Sequence, residues 1–282
     1  MQDEAYDKKS EKDGKQNSME KCRIAAQVYS VRGEARADLK GTLQALKDYG
    51  YDGVELAGLY EHSPEEIRDM LQEIGLVPVS AHVGLDLFLQ DRKGTVEAYR
   101  VIGCRYIGIP SLPDSRMLGG CQYQETIEEI KEISECCREA GITLLYHNHC
   151  FEFEKDGQGR YLLDVLFADA GDALQTEFDT CWVKAAGEDP VAYLEKYQGR
   201  CPVIHSKDCR PLEQEKVDGS RNEDKVELTA LGDGCVNVIE IAKKALACGA
   251  EWIVVEQDTH SHGTPMENMK KSAAYLKEGL KK

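Results

Sequence analysis

Four short stretches of the chain end in side chains able to ligate a divalent ion or move a proton: Tyr146-His-Asn-His149, Glu177-Phe-Asp-Thr180, His205-Ser-Lys-Asp208 and Val255-Glu-Gln-Asp258. Each follows an apolar run such as Ile142-Thr-Leu-Leu145 or Trp252-Ile-Val-Val255. Short β-branched and aliphatic runs of this kind read as parallel strands buried on both faces. Six of the seven histidines, all but His62, lie in or just after such a run. Asp179, His205 and Glu256 are expected to close three consecutive strands. One imidazole and two carboxylates meeting at neighbouring strand tips make a hard-to-borderline donor set for a divalent cation. Buried without such a partner, the carboxylates would be costly.

The fifth strand leaves its ligand open. His147 and His149 share a face by the two-residue period of a strand, and Glu152 follows in the next loop. Either His147 or Glu152 could complete the donor set. Other strand ends read as a shell for substrate hydroxyls and a carbonyl: Gln27, Tyr29 and Arg32 after the first strand, Glu55 after the second, His82 after the third. Trp182 is placed to supply an apolar wall for a sugar ring, and Lys207 to stabilise a developing oxyanion. His260 and His262 sit in the last loop as further, weaker contacts.

Elements that could hold these residues in register alternate along the chain. Strands are predicted near 22–29, 52–57, 77–83, 105–110, 142–147, 174–179, 201–206 and 252–257. Amphipathic helices are predicted near 36–49, 64–75, 93–102, 123–140, 160–170, 189–198, 235–248 and 264–280. Ser63-Pro64 with Glu66 forms a helix-start signature. Eight β-α repeats in 282 residues predict an α/β fold of the (β/α)8 TIM-barrel type. No GxGxxG follows the first strand, which argues against an open dinucleotide-binding sheet. Residues 1–20 carry almost no apolar side chains and are expected to remain an unordered tail; residues 21–282 are read as one barrel domain. The polar stretch 209–228 breaks the rhythm and reads either as a functional lid or binding loop or as a solvated insertion.

A formal charge of −16 argues against a surface built for phosphate backbones, so no nucleic-acid partner is expected. No apolar run reaches membrane-spanning length, and no membrane partner is expected. Eleven scattered cysteines with no CxxC pair read as small buried hydrophobes in a cytoplasmic protein.

Taken together, Gln27-Val-Tyr-Ser-Val-Arg32, Gly53-Val-Glu-Leu56, Tyr146-His-Asn-His149 with Phe151-Glu-Phe153, Phe178-Asp-Thr180, His205-Ser-Lys-Asp208 and Val255-Glu-Gln-Asp258 resemble the sugar phosphate isomerase/epimerase group of xylose-isomerase-like TIM barrels. The resemblance runs from residue 22 to about 280. It implies a divalent metal (manganese, cobalt or magnesium, with zinc a further option) held by Asp179, His205 and Glu256; the residues themselves offer His147, His149, Glu256 and Lys207 as catalytic candidates. It also implies a small-molecule sugar or keto-sugar substrate, and it leaves room for a homo-oligomer. Many ketose epimerases of the group carry a glutamate where His147 stands. The histidine form is similar to the subgroup containing inosose dehydratase and enzymes of 3-keto sugars. The expected chemistry is isomerisation or epimerisation through an enediolate, with a lyase or dehydratase outcome as the alternative and a non-catalytic sugar-binding barrel as a further one.

Overall fold

The computed structural model describes residues 23–212 and 225–281; the tail expected over 1–20 lies outside the described residues. The strands are β1 Arg23–Gln27, β2 Gly53–Leu56, β3 Val77–His82, β4 Tyr106–Ile109, β5 Thr143–His147, β6 Gln175–Asp179, β7 Val203–Ser206, the pair β8 Asp208–Pro211 and β9 Val226–Thr229, and β10 Trp252–Val255. All but β8 and β9 close into a parallel barrel in the order β1-β10-β7-β6-β5-β4-β3-β2. This is the (β/α)8 TIM barrel, and every barrel strand falls inside its predicted range. Buried apolar runs drive closure, because a parallel strand hides both faces. Gly53 permits one tight approach: a Cβ there would lie 2.7 Å from the Val77 carbonyl oxygen of the neighbouring strand.

Ala25, Val79, Tyr106, Leu145, Val203, Trp252 and Val254 fill the barrel interior. A larger apolar layer packs between barrel and helices. On β7 and β10 the interior residues run Val203 then His205, and Trp252, Val254 then Glu256, so the apolar plug gives way to ionisable groups toward the strand ends.

The predicted capping box is formed: Ser63 Oγ accepts from Glu66 N, and Glu66 Oε2 accepts from Ser63 N at 2.7 Å. It starts the helix Pro64–Ile74. A second box, Thr264 with Glu267, starts the helix Pro265–Gly279. The helix expected at 36–49 is divided into Arg32–Ala37 and Leu39–Tyr49. Asp38 leaves the helical region there and caps the second segment through Gly41 N. The helix expected at 93–102 starts earlier, spanning Leu85–Ile102 with a break at Asp91. Sequence periodicity missed the short helix Thr180–Ala185, whose single turn and a half is too brief to show a 3.6-residue pattern.

The stretch expected to be a long loop at 209–228 contains structure at both ends. β8 and β9 pair antiparallel, with Cys209 opposite Leu228 and Pro211 opposite Val226. Asp208 anchors this hairpin. Its carboxylate accepts from the backbone N–H groups of Cys209, Gly232, Gly234 and Val236 at 2.9–3.0 Å. Of the described cysteines, seven are buried, while Cys121 and Cys235 are exposed. No helix among the described residues is long and apolar enough to cross a membrane.

Candidate active site

The carboxyl ends of the barrel strands surround a cavity of about 720 Å³, lined by Tyr29, His82, His147, His149, Trp182, Lys207, Glu256 and Asp258 among others. The hairpin supplies Val226 and Leu228 to one wall. Active sites of TIM barrels occupy this end because each strand delivers its last inward side chain to one place.

His147, Asp179, His205 and Glu256 form one cluster whose donor atoms all lie within 4.8 Å of one another. They come from the ends of β5, β6 and β7 and from the residue after β10. His205 Nδ1 is 2.7 Å from Glu256 Oε2, and His147 Nε2 is 3.9 Å from Asp179 Oδ2. Asp179 Oδ1 is already engaged, accepting from the backbone N–H of Cys181 and Trp182, which starts the short helix behind it. Its other oxygen faces Lys207, whose Nζ lies 2.9 Å from Asp179 Oδ2, 2.9 Å from Glu256 Oε2 and 2.8 Å from Asp258 Oδ2.

A second cluster overlaps the first: His82, His147, Glu177 and His205. It forms a floor with Glu55. His205 Nε2 is 2.7 Å from Glu55 Oε1, and His82 Nε2 is 2.7 Å from Glu177 Oε2. Gln27 Nε2 and Ser80 Oγ also donate to Glu55, each at 2.5 Å. Gly108 makes the His82–Glu177 contact possible, since a Cβ at that position would fall 2.8 Å from Glu177 Oε2.

Four carboxylates here, Glu55, Glu177, Asp179 and Glu256, are buried. Their electrostatics follow from burial set against neighbouring charge. Burial, then Glu55, raises the Glu177 carboxyl. Glu55 is lowered, because His82 and His205 outweigh its own burial. Burial and the neighbouring His205, His82, His149 and Lys207 hold His147 well below the ordinary imidazole range, so it is neutral. His149 is lowered to about 3, by burial first and then by Lys207. Asp258 is raised to about 6, burial being the main cause and Lys207 opposing it.

A divalent cation fits this donor set. His147 is a neutral imidazole whose Nδ1 lacks a hydrogen-bond partner, and Glu177 Oε1 lacks one as well. Asp179 Oδ2 and Glu256 Oε2 already converge on one cationic group.

The structure sorts the other predicted residues. Glu152 is buried, but its carboxylate accepts from Tyr146 OH at 2.9 Å and from His149 N at 2.8 Å; it lies outside both clusters. Gln27 and Glu55 sit in the floor and do not line the cavity, whereas His82 touches both. Arg32 braces the rim, donating to the carbonyls of Tyr29 and Asp258 with its guanidinium 4.2 Å over the Tyr29 ring. The Trp182 ring stacks with His149 and carries Lys207 Nζ 5.1 Å from its centroid. His260 turns away from the cavity, bonded to Ser30 O and Asn268, and His262 faces Glu227 in solvent. Glu177 and Asp258 were not singled out from sequence. Each lies two residues from a singled-out carboxylate, so strand parity was the available signal.

Residues 43–279 match the xylose isomerase-like TIM barrel family. The chain belongs to that family. Among curated relatives it is 22% identical to an inosose dehydratase of Geobacillus kaustophilus over 245 residues, covering 77% of this chain and 79% of the relative. Among solved structures, a sugar phosphate isomerase/epimerase from Parabacteroides distasonis superposes with a TM-score of 0.74 at 23% identity, covering 93% of this chain and 95% of the other. The probable 3-DHS dehydratase AsbF from Bacillus anthracis superposes with a TM-score of 0.68 at 14% identity, covering 90% and 98%. Sugar-modifying isomerases, epimerases and dehydratases are thus the neighbours of this fold.

Proposed function

We propose that this barrel is a divalent-metal-dependent enzyme that removes a proton beside the carbonyl of a keto sugar or cyclic keto polyol. The observation that carries this reading is the convergence of His147, Asp179, His205 and Glu256 beneath a cavity that also presents Lys207, Asp258 and His149. His147, Asp179, His205 and Glu256 would hold the ion, with His147 rather than Glu152 as the fifth-strand ligand. When bound, the ion supplies Lewis acidity toward a carbonyl oxygen.

The chain's own groups divide the remaining work. Lys207 donates a hydrogen bond to the oxygen on which negative charge builds, a role suited to a preorganised ammonium in a dry site. Glu256 is held by His205 and Lys207, which leaves it poorly placed as the base. Asp258 is the cavity-lining carboxylate outside the ligand cluster, and it takes the proton. His149, held neutral beside Trp182, hydrogen-bonds a substrate hydroxyl. Trp182 and Leu228 cover the apolar face of the ring.

Expulsion of a β-hydroxyl after proton removal yields dehydration; return of the proton to another carbon or face yields isomerisation or epimerisation. Dehydration is the favoured outcome, supported by the inosose dehydratase relatives and by a histidine at the fifth-strand position. The test is incubation of Mn2+- or Co2+-loaded protein with inososes, ketohexoses and 3-keto glycosides in D2O, followed by NMR. Deuterium at the carbon beside the carbonyl, with or without loss of water, supports the reading. Absence of exchange and of turnover across the panel, with either ion bound, removes it.

A further inference from the structure

The two ionisable clusters share His147 and His205, and each shared imidazole is sandwiched between carboxylates. His205 presents Nδ1 to Glu256 Oε2 and Nε2 to Glu55 Oε1, both at 2.7 Å. His147 presents Nε2 toward Asp179 Oδ2 at 3.9 Å and Nδ1 toward Glu177 Oε2 at 3.8 Å. An imidazole that binds a cation keeps one N–H and gives one lone pair, so each ring can offer a cation only one of its two sides. Which side is offered is settled by where the surrounding hydrogens already are.

The floor is filled with donors. Tyr29 N donates to Gln27 Oε1 at 2.9 Å, which turns the Gln27 amide nitrogen onto Glu55. Ser80 Oγ donates to the other Glu55 oxygen. His82 Nε2 lies against Glu177, in space that Gly108 leaves open. Glu55 and Glu177 are fully buried and do not line the cavity. A cation arriving from the cavity meets Glu256 first, while Glu55 is occupied from below by Gln27 and Ser80.

We infer that Glu55 is a positioning residue: it takes the Nε2–H of His205 across 2.7 Å, and so aims His205 Nδ1 at a divalent ion on the cavity side. The inference rests on the metal site proposed above. Carboxylates behind ligating histidines fix both tautomer and ring orientation, and losing one costs about 10–100-fold in metal affinity. Glu55→Gln is a sharp probe. It replaces an acceptor-only group by one that places an NH2 among the donors Gln27, Ser80 and His205.

Co2+ affinity by chelator competition, the visible spectrum of the Co2+ form, and 15N NMR of the histidine rings together test this. In the wild type with Co2+ replaced by diamagnetic Zn2+, His205 should show a protonated Nε2. Glu55→Gln should bind Co2+ about 10–100-fold more weakly and with an altered spectrum, while Glu152→Gln binds as the wild type does. A wild-type His205 ring carrying the opposite proton overturns the inference whatever the variant does, as does unchanged Co2+ binding in folded Glu55→Gln. Failure of the wild type to bind Co2+ or Zn2+ overturns the metal site itself, and this inference with it.

Discussion

Lys207 Nζ stands 2.9 Å from Asp179 Oδ2 and 2.9 Å from Glu256 Oε2, so the ammonium shares two carboxylate oxygens with the proposed ion. The two cations therefore compete for charge while cooperating in chemistry. Replacing Lys207 by Met should leave divalent-ion affinity equal or tighter, because a repelling charge is gone. Turnover should nevertheless fall by about 10²–10³-fold, the usual cost of losing one preorganised donor. Calorimetric Mn2+ titration beside steady-state kinetics checks both halves. A variant that loses its metal would mean that Lys207 supports the site instead of sharing it.

Asp179→Ala and His205→Ala should each lower bound Mn2+ well below one per chain after dialysis, as measured by plasma emission. Glu152→Ala should retain the ion, since Glu152 is occupied by Tyr146 and His149 N. Metal lost from the Glu152 variant and kept in His147→Ala would reverse the choice of fifth-strand ligand.

The hairpin depends on Asp208. Four backbone N–H groups converge on its carboxylate, and each buried donor left unpaired costs about 1–3 kcal/mol. Asp208→Ala should lower unfolding free energy by at least ~3 kcal/mol in urea titration. A loss under ~1 kcal/mol would show that water replaces the carboxylate freely.

Leu228 places its side chain from β9 onto the cavity. Leu228→Ala should raise KM about tenfold with a smaller change in kcat, because methylene contacts in a pocket are worth roughly 1–3 kcal/mol. An unchanged KM would remove the hairpin from substrate contact.

Thr264 and Glu267 cap the last helix reciprocally. Thr264→Ala should cost about 1 kcal/mol at neutral pH. The Glu267 carboxyl is held below its ordinary range by hydrogen bonds from the Thr264 backbone and side chain. A depressed folded value means that this part of the stability is present above the unfolded value and is lost as pH falls through the folded one. The gap between wild type and Thr264→Ala should therefore narrow in acid, as followed by thermal melts from pH 7 downward; a gap that widens would contradict the capping box.

What the sequence determined by itself was the barrel and the convergence of Asp179, His205 and Glu256 at three strand ends. Apolar runs specify buried parallel strands, and two-residue parity specifies which side chains point inward; both are local properties of the chain. The division of the polar residues into a floor and a mouth was decided only by tertiary structure. Gln27 and Glu55 read as substrate contacts because strand position says inward without saying how deep. Their depth is set by barrel closure, which brings Glu55 to His205 across 150 residues. The choice between His147 and Glu152 was likewise beyond the sequence. Both are close to the fifth strand, and only the hydrogen bonds that turn Glu152 onto Tyr146 and His149 N take it away from the cluster. The hairpin, too, escaped local reading, since its four-residue strands are too short for the Val226-Glu-Leu228-Thr alternation to stand out from the polar stretch around them.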